Sequence, residues 1–514
     1  MKHGRISRML AILLACLMIG AALVSCAKNN GGGDGTTAAG SPASTSGTPS
    51  ASTDGSSNPE QTVRLDDFGR EWIDDELPES AQLDRTFTVH MRGNVEQYEW
   101  KAEDINGETL NDAIYKRNNN VETRFGITLN VIAEGNWSNY GENLEKVKNS
   151  IKTGDGTYDL LCGYSTPMAS MATTGLIRNL NKLDNIHLDK PWWSDSWNSD
   201  FMIGDKLYFG VGSLSIAMIY SMECIFYNTD IMKEVDENYN IYKTVLNQAW
   251  TWDEMNRVGA LAYSDVNGDQ VPNFGDRFGF ASAEASNSGN TINGLLYSTG
   301  FRLVEKDETG TPRLTEDIAR LVTIGEKEIS LLYGTPTNYD LSNSQKLDFT
   351  AGNMLFCHYW LYYGQTNYSK VMDNYGIVPM PKFDTDQENY CTPVQGGMHM
   401  YAIPIDVDAE EDSMLTEAFA AESYRVLLPA YYEVVLKTRY APDAYTSQMI
   451  DIMYDTVIFD IGMTYNGSIG YLGSFKDAIA SGANITSSMS RQNSAAKRNL
   501  EQLVRGILEV KDKD

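Results

Sequence analysis

Between Phe87 and Cys162 the spacing of apolar residues changes period again and again. Phe87, Val89 and Met91 alternate, as in a strand with one buried face. Leu110, Ile114, Val121 and Phe125 recur at helical spacing, and Gly126 stands where such a helix stops. Ile127, Leu129 and Val131 alternate again. Leu144, Val147 and Ile151 mark a second helix, after which Gly154-Asp155-Gly156 turns the chain into the apolar run Tyr158 to Cys162. A strand–helix–strand–helix–strand order calls for a parallel sheet with covering helices. Ligands of such sheets bind beyond the carboxyl ends of the strands. That draws attention to Tyr164 and Ser165, just past the third strand.

Beyond this unit, Lys206–Val211 and Cys224–Tyr227 read as strands, and Trp252–Ala262 and Ile318–Leu332 as helices. Met354–Cys357 and Tyr375–Pro379 read as two further strands, and most of the chain after Pro404 reads as helix. The acidic stretch Val63–Leu83 is expected to place a short helix on the surface. A chain of 514 residues exceeds what one hydrophobic core holds, so two α/β lobes are expected. The net charge of −28 repels polyanions and argues against nucleic-acid binding.

The amino terminus has the layout of a secretory signal. Lys2, Arg5 and Arg8 precede an apolar run from Met9 to Val24 that is short for a membrane span. Leu23-Val24-Ser25-Cys26 resembles the lipobox of bacterial lipoproteins, which implies cleavage before Cys26 and acylation, including palmitate, at that residue. Residues 26–62 are rich in Gly, Ser and Thr and cannot bury enough surface to fold. As a flexible tether they reach about 30 Å from the lipid. Cys162, Cys224, Cys357 and Cys391 remain in the mature chain with no Cys-x-x-Cys pair, which offers no zinc or redox motif. One long-range disulfide among them stays open.

Several short segments then occur in a telling order. They are Tyr158-Asp159-Leu160-Leu161, Gly175-Leu176-Ile177-Arg178-Asn179-Leu180, Asp205-Lys206-Leu207-Tyr208 and Tyr227-Asn228-Thr229-Asp230. Trp250-Thr251-Trp252-Asp253-Glu254-Met255, Gly352-Asn353-Met354-Leu355 and Gly376-Ile377-Val378-Pro379-Met380-Pro381 follow. In order and spacing they resemble the extracellular solute-binding proteins of ABC importers, in the group that takes up sugars and oligosaccharides. The resemblance implies a two-lobe α/β fold of the periplasmic-binding-protein type II kind, with a hinge and an interlobe cleft. It implies a monomeric binding protein, not an enzyme, held at the extracellular face of a bacterial membrane and served by permease subunits. It would place lobe one at 84–215 plus 398–440 and lobe two at 216–397 plus 441–514. The chain would cross near Gly212–Met222, Gln395–Met398 and Tyr440–Tyr445.

Candidate contacts follow from the chemistry of a sugar, which offers an apolar C–H face and a polar rim. Trp360, after a strand, stands where the family often places a stacking ring. Tyr164 and Ser165 stand at a strand end, and Ser221, Glu223 and Gln395 near the expected crossings. Trp192 and Trp193 read either as cleft contacts or as packing. His358 and His399 flank the supposed cleft and read as satisfied polar residues. Asp265, Asn267, Asp269, Val271, Asn273 and Asp276 match the loop spacing of an EF-hand. That points to a structural calcium ion, although Gln270 replaces the usual Gly and Asp276 the usual Glu. No required cofactor is expected. No phosphate-binding loop, His-Glu-x-x-His or Gly-x-Ser-x-Gly occurs. The competing readings are a surface glycosidase using two carboxylates and a peptide-binding importer component.

Overall fold

The computed structural model describes residues 64–93, 96–136, 138–282, 288–333, 338–339, 348–441 and 443–513. Cys26, the signal segment and the tether lie outside the described residues. The compact unit runs from Val63 to Asp514.

Two sheets organise it. In the first, the strands lie in the order His399–Ala402, Leu160–Tyr164, Arg85–Met91, Ile127–Ala133. Arg85–Met91 is parallel to both neighbours, and only His399–Ala402 runs antiparallel. The helices Thr109–Phe125 and Tyr140–Thr153 make the two crossovers. Gly126 ends the first at φ 62°, its N–H bonded to the Glu122 carbonyl, and Gly154 ends the second at φ 70°. A left-handed residue costs glycine least, so both helices stop where the spacing predicts. Phe87, Val89 and Met91 are fully buried on one face, where the Phe87 ring packs 5.6 Å from Phe419. Leu144, Val147 and Ile151 belong to the core on the other side.

The second sheet is mixed, in the order Tyr375–Pro379, Glu223–Asn228, Met354–Trp360, Phe278–Ser282, Asn338–Tyr339. Glu223–Asn228 is antiparallel to both of its neighbours, and Phe278–Ser282 is parallel to Met354–Trp360. The chain passes between the sheets three times. It goes over through residues 213–222 and returns through 394–398. The third pass follows the helix Ala409–Glu422, which widens into π-helical turns at Ser423–Leu427 and Ala430–Tyr440 before the helix Ala444–Asp455.

Three expectations change. Lys206–Val211 is not a strand; only single bridges form, Ile203 to Lys206 and Gly210 to Tyr401. The Trp192–Trp193 backbone presses too closely for a side chain there. A Cβ on Gly212 would lie 2.0 Å from the Trp192 carbonyl oxygen. Val63–Leu83 forms no helix among its described residues. Asp66 caps a turn through the N–H groups of Phe68 and Arg70, and Trp72 then sits between the guanidiniums of Arg64 and Arg425, 3.7 and 4.0 Å from its ring centre. The chain end does not stay with the second sheet. After the helix Ile485–Glu509, Asp512 pairs with Lys206 at 2.6 Å. Cys162, Cys224, Cys357 and Cys391 are free thiols.

Candidate functional site

Six of the eight expected solute contacts lie on one continuous hydrogen-bonded junction between the sheets. Tyr164 ends its strand opposite His399. Ser165 follows, donating its backbone N–H to the Met398 carbonyl at 3.0 Å and its hydroxyl to the Gly396 carbonyl at 2.7 Å. Gln395 donates its N–H to the Ser221 carbonyl at 2.9 Å, and Met222 bridges Val394. Glu223 opens its strand opposite Trp360, and Leu361 N–H reaches back to the Met222 carbonyl at 2.9 Å. The backbone therefore welds the ends of two strands, one from each sheet, to both crossing segments.

The six differ in what they offer a solute. Tyr164, Trp360 and Gln395 are half-buried, whereas Ser165, Ser221 and Glu223 are buried. The Trp360 indole N–H donates to no described residue. The Tyr164 ring lies under the Arg92 guanidinium at 4.9 Å. Glu223 is spoken for: its Oε2 meets His358 Nε2 at 3.3 Å, and His358 Nδ1 meets the Thr291 hydroxyl at 3.0 Å. Gly294 makes room for this pair, since a Cβ there would sit 2.3 Å from Glu223 Oε2. His358 is thus a satisfied buried residue. So is His399, whose imidazole is pushed well below its usual pKa by burial and then by the charge of Arg92.

Trp192 and Trp193 are placed away from the junction's open side. They are 0% and 3% exposed, and both indoles donate to one carboxylate, Glu417, at 2.7 and 2.8 Å. Burial lifts Glu417 to a pKa of about 6 against the opposing effect of these donors. The expected cleft contact gives way to a core role, because a buried indole N–H needs an internal acceptor.

Sequence reasoning passed over three tyrosines near the helix Leu361–Thr366 that follows Trp360. Tyr362 is the second residue of that helix and is 37% exposed; Tyr98, from the first sheet's side, is 67% exposed. Burial raises the Tyr362 phenol pKa, with a further push from Tyr98. The Tyr220 ring lies 5.5 Å from Tyr362. The only signal for them was abundance, 29 Tyr in the chain, which points to no position.

The 265–276 loop turns its oxygens inward to its own backbone. Asp265 accepts from the N–H groups of Gly268 and Gln270 at 2.7 and 2.9 Å. Asp269 accepts from Val271 N–H at 2.8 Å and, through its other oxygen, from the Asn273 amide at 2.7 Å. Asn267 accepts from Asp269 N–H at 2.9 Å. Asp276 is buried and holds Val266 and Asn273 N–H at 3.2 and 3.0 Å. Among the described residues no three His, Cys, Asp or Glu side chains gather to hold a metal. The loop has the spacing of an EF-hand, and its side chains cap a run of turns.

Two surface cavities lie elsewhere. One is framed by Trp72, Arg124 and Arg425, another by Lys306, Arg313 and Lys497; neither is lined by a junction residue. Among the described residues no helix is long and apolar enough to cross a membrane.

A model of the bacterial extracellular solute-binding protein family matches residues 117–423, more than half of the chain. The cyclic α-maltosyl-1,6-maltose binding protein of Arthrobacter globiformis is a similar structure, with TM-score 0.53 and 15% identity, over 82% of this chain and 99% of that one. The galacto-N-biose/lacto-N-biose I-binding protein of an ABC transporter from Bifidobacterium longum has TM-score 0.52 and 13% identity, over 81% and 97%. UgpB from Mycobacterium tuberculosis, in complex with glycerophosphocholine, has TM-score 0.50 and 16% identity, over 76% and 95%. These likenesses show the two-lobe periplasmic-binding-protein-like fold. No curated protein matches the sequence.

Proposed function

Because the chain belongs to the bacterial extracellular solute-binding protein family, a family of binding proteins and not of enzymes, we propose that it captures a carbohydrate or oligosaccharide between its lobes. It then delivers the solute to an ABC importer through permease subunits. One observation carries the solute class: Trp360 stands at a strand end on the junction, half-buried, with its indole N–H committed to no described residue. A flat apolar ring with a free polar end suits a sugar's C–H face and hydroxyl rim. Tyr164 and Gln395 are the half-buried polar groups on the same junction. Two of the similar structures are named for sugar ligands and one was solved with glycerophosphocholine. The half-buried ring of Trp360 favours the sugar.

A thermal-shift screen over a carbohydrate library tests this reading. A specific saccharide should raise the melting temperature, bind in titration calorimetry and be recovered intact. No shift with any saccharide, or the appearance of cleavage products, would overturn it.

The lipobox-like Leu23-Val24-Ser25-Cys26 supports a lipid anchor at Cys26 on the extracellular face of the membrane. Cys26→Ala should release the protein from membrane fractions. If the variant sediments with membranes as the natural chain does, the anchor is something else.

A further inference from the structure

Glu99 is buried, 3% exposed, at the end of the short helix Glu96–Glu99 on the first sheet's side. Its carboxylate gathers donors from the outgoing segment, residues 213–222, and meets the first residue of the strand His399–Ala402. From the outgoing segment, the Ser215 hydroxyl donates to Oε2, Ile216 N–H donates to the same oxygen at 3.1 Å, and the Tyr220 hydroxyl donates to Oε1 at 2.9 Å. From the first sheet comes His399, the residue that follows the returning segment, with Nδ1 3.2 Å from Oε1. The imidazole is itself pinned at both ends, with Nδ1 3.1 Å from the Ser215 hydroxyl and Nε2 3.1 Å from that of Tyr220. Arg117 fixes the backbone beneath, donating to the Glu99 carbonyl at 2.7 Å, with its guanidinium 4.4 Å from the Trp100 ring centre.

A buried carboxylate holds its donors strongly, because the alternative is an uncompensated buried charge. Two strands that run between lobes are free to rotate unless something fixes their relative geometry; hinges are a few residues that absorb backbone rotation. Here residues 215–220 and 399 cannot turn independently without breaking a bond to the one carboxylate. Tyr98, the neighbour of Glu99 in sequence, is exposed beside Tyr362 of the other lobe.

We propose that Glu99 is the positioning residue of the hinge: its carboxylate clamps the outgoing crossing segment to the first sheet and so sets how far apart the lobes stand before solute arrives. The proposal rests on the reading that the solute binds between the lobes, yet its test needs no solute. Spin labels are placed at Thr128→Cys and Thr350→Cys, exposed positions on the two sides, in a Cys26→Ala, Cys391→Ser chain. The distance distribution between them is measured in solute-free protein. The parent should show one narrow distribution. Glu99→Gln should broaden it or move its maximum, because the neutral amide meets with a single acceptor oxygen the three donors that the carboxylate shares between two. Tyr220→Phe, which removes one hydroxyl and keeps the ring, should do so to a lesser degree. It also decides the matter if Glu99→Gln does not fold. With a solute in hand, Glu99→Gln should weaken affinity at least tenfold. A lower melting temperature with an unchanged distance distribution in the folded variants would overturn the proposal and leave Glu99 a purely structural residue. If no carbohydrate ever binds while the distances still respond, the solute class fails and the clamp stands.

Discussion

Trp192 and Trp193 on one side and Trp360 on the other entered the sequence reading with the same argument, an aromatic ring near a supposed cleft. The fold separates them by what the indole N–H does. Each buried tryptophan has an internal acceptor. Trp100 has the Tyr401 hydroxyl at 3.4 Å, Trp192 and Trp193 share Glu417, and Trp197 has the Phe209 carbonyl at 2.9 Å. Trp250 has the Pro379 carbonyl at 3.0 Å and Trp252 the Ser298 hydroxyl at 3.3 Å. Trp360 is half-buried and uses none among the described residues. A ring sealed in the interior must bring its polar end to a protein acceptor; a ring at a strand end can leave it for water or solute. Accessibility and hydrogen-bond commitment together, and not aromatic type, distinguish a packing residue from a binding one.

The largest expected effect sharpens the packing half of this contrast. Trp192→Ala should cost about 3–5 kcal/mol of folding stability, read by chemical denaturation, while the folded fraction binds solute as before. A variant of near-normal stability that no longer binds would return Trp192 to the cleft. Next comes acid. His90 is buried in the first sheet with no hydrogen-bond partner among the described residues, 5.0 Å edge-on to Tyr158, and burial pulls its pKa from 6.5 to about 4. Its folded pKa is lowered, so the neutral form favours the fold. Its contribution is whole above pH 6.5 and is lost as pH falls through 6.5 towards 4, on the order of 3 kcal/mol. His90→Leu should flatten that part of the stability profile relative to the natural chain. Equal acid sensitivity in both proteins would rule the residue out.

Trp360→Ala tests the binding half. Losing one aromatic anchor should weaken solute affinity by about 2 kcal/mol, roughly thirtyfold, with only a small change in melting temperature. A destabilised variant whose folded fraction binds normally would place Trp360 with the packing group. The smallest effect belongs to the 265–276 loop. Asp265→Ala leaves the Gly268 and Gln270 N–H groups without their acceptor, but in an exposed loop where water replaces it, so about 1 kcal/mol is expected. Calcium and chelator should leave the natural chain's melting curve in place. A rise with calcium would mean that the carboxylates regather around the ion.

Much of the junction between the sheets was legible residue by residue. Tyr164 and Ser165 could be found because a parallel unit advertises its strand ends, and Trp360 because it closes an apolar run. Trp192 and Trp193 could not be placed, since their partner Glu417 lies far along the chain and nothing local links them. The loop shows the same gap from another side. Its spacing was read correctly as donor positions, but spacing does not say whether an oxygen faces an ion or the nearest backbone N–H. Glu99 and Tyr98 carried no local signal at all.

What the chain determined by itself was local: period, stop and turn. Two-residue and 3.6-residue spacings produce the parallel unit from Arg85 to Tyr164, and Gly126 and Gly154 end its helices where left-handed backbone is needed. The family followed from the order of such pieces. The tertiary structure alone decided which side chains meet. Glu417 reaches two indoles, Glu99 reaches the outgoing crossing and His399, and Glu223 turns to His358 instead of outward. Those choices depend on contacts between residues more than a hundred positions apart, whose pairing is set by burial and hydrogen-bond satisfaction over the whole core and leaves no trace in local spacing.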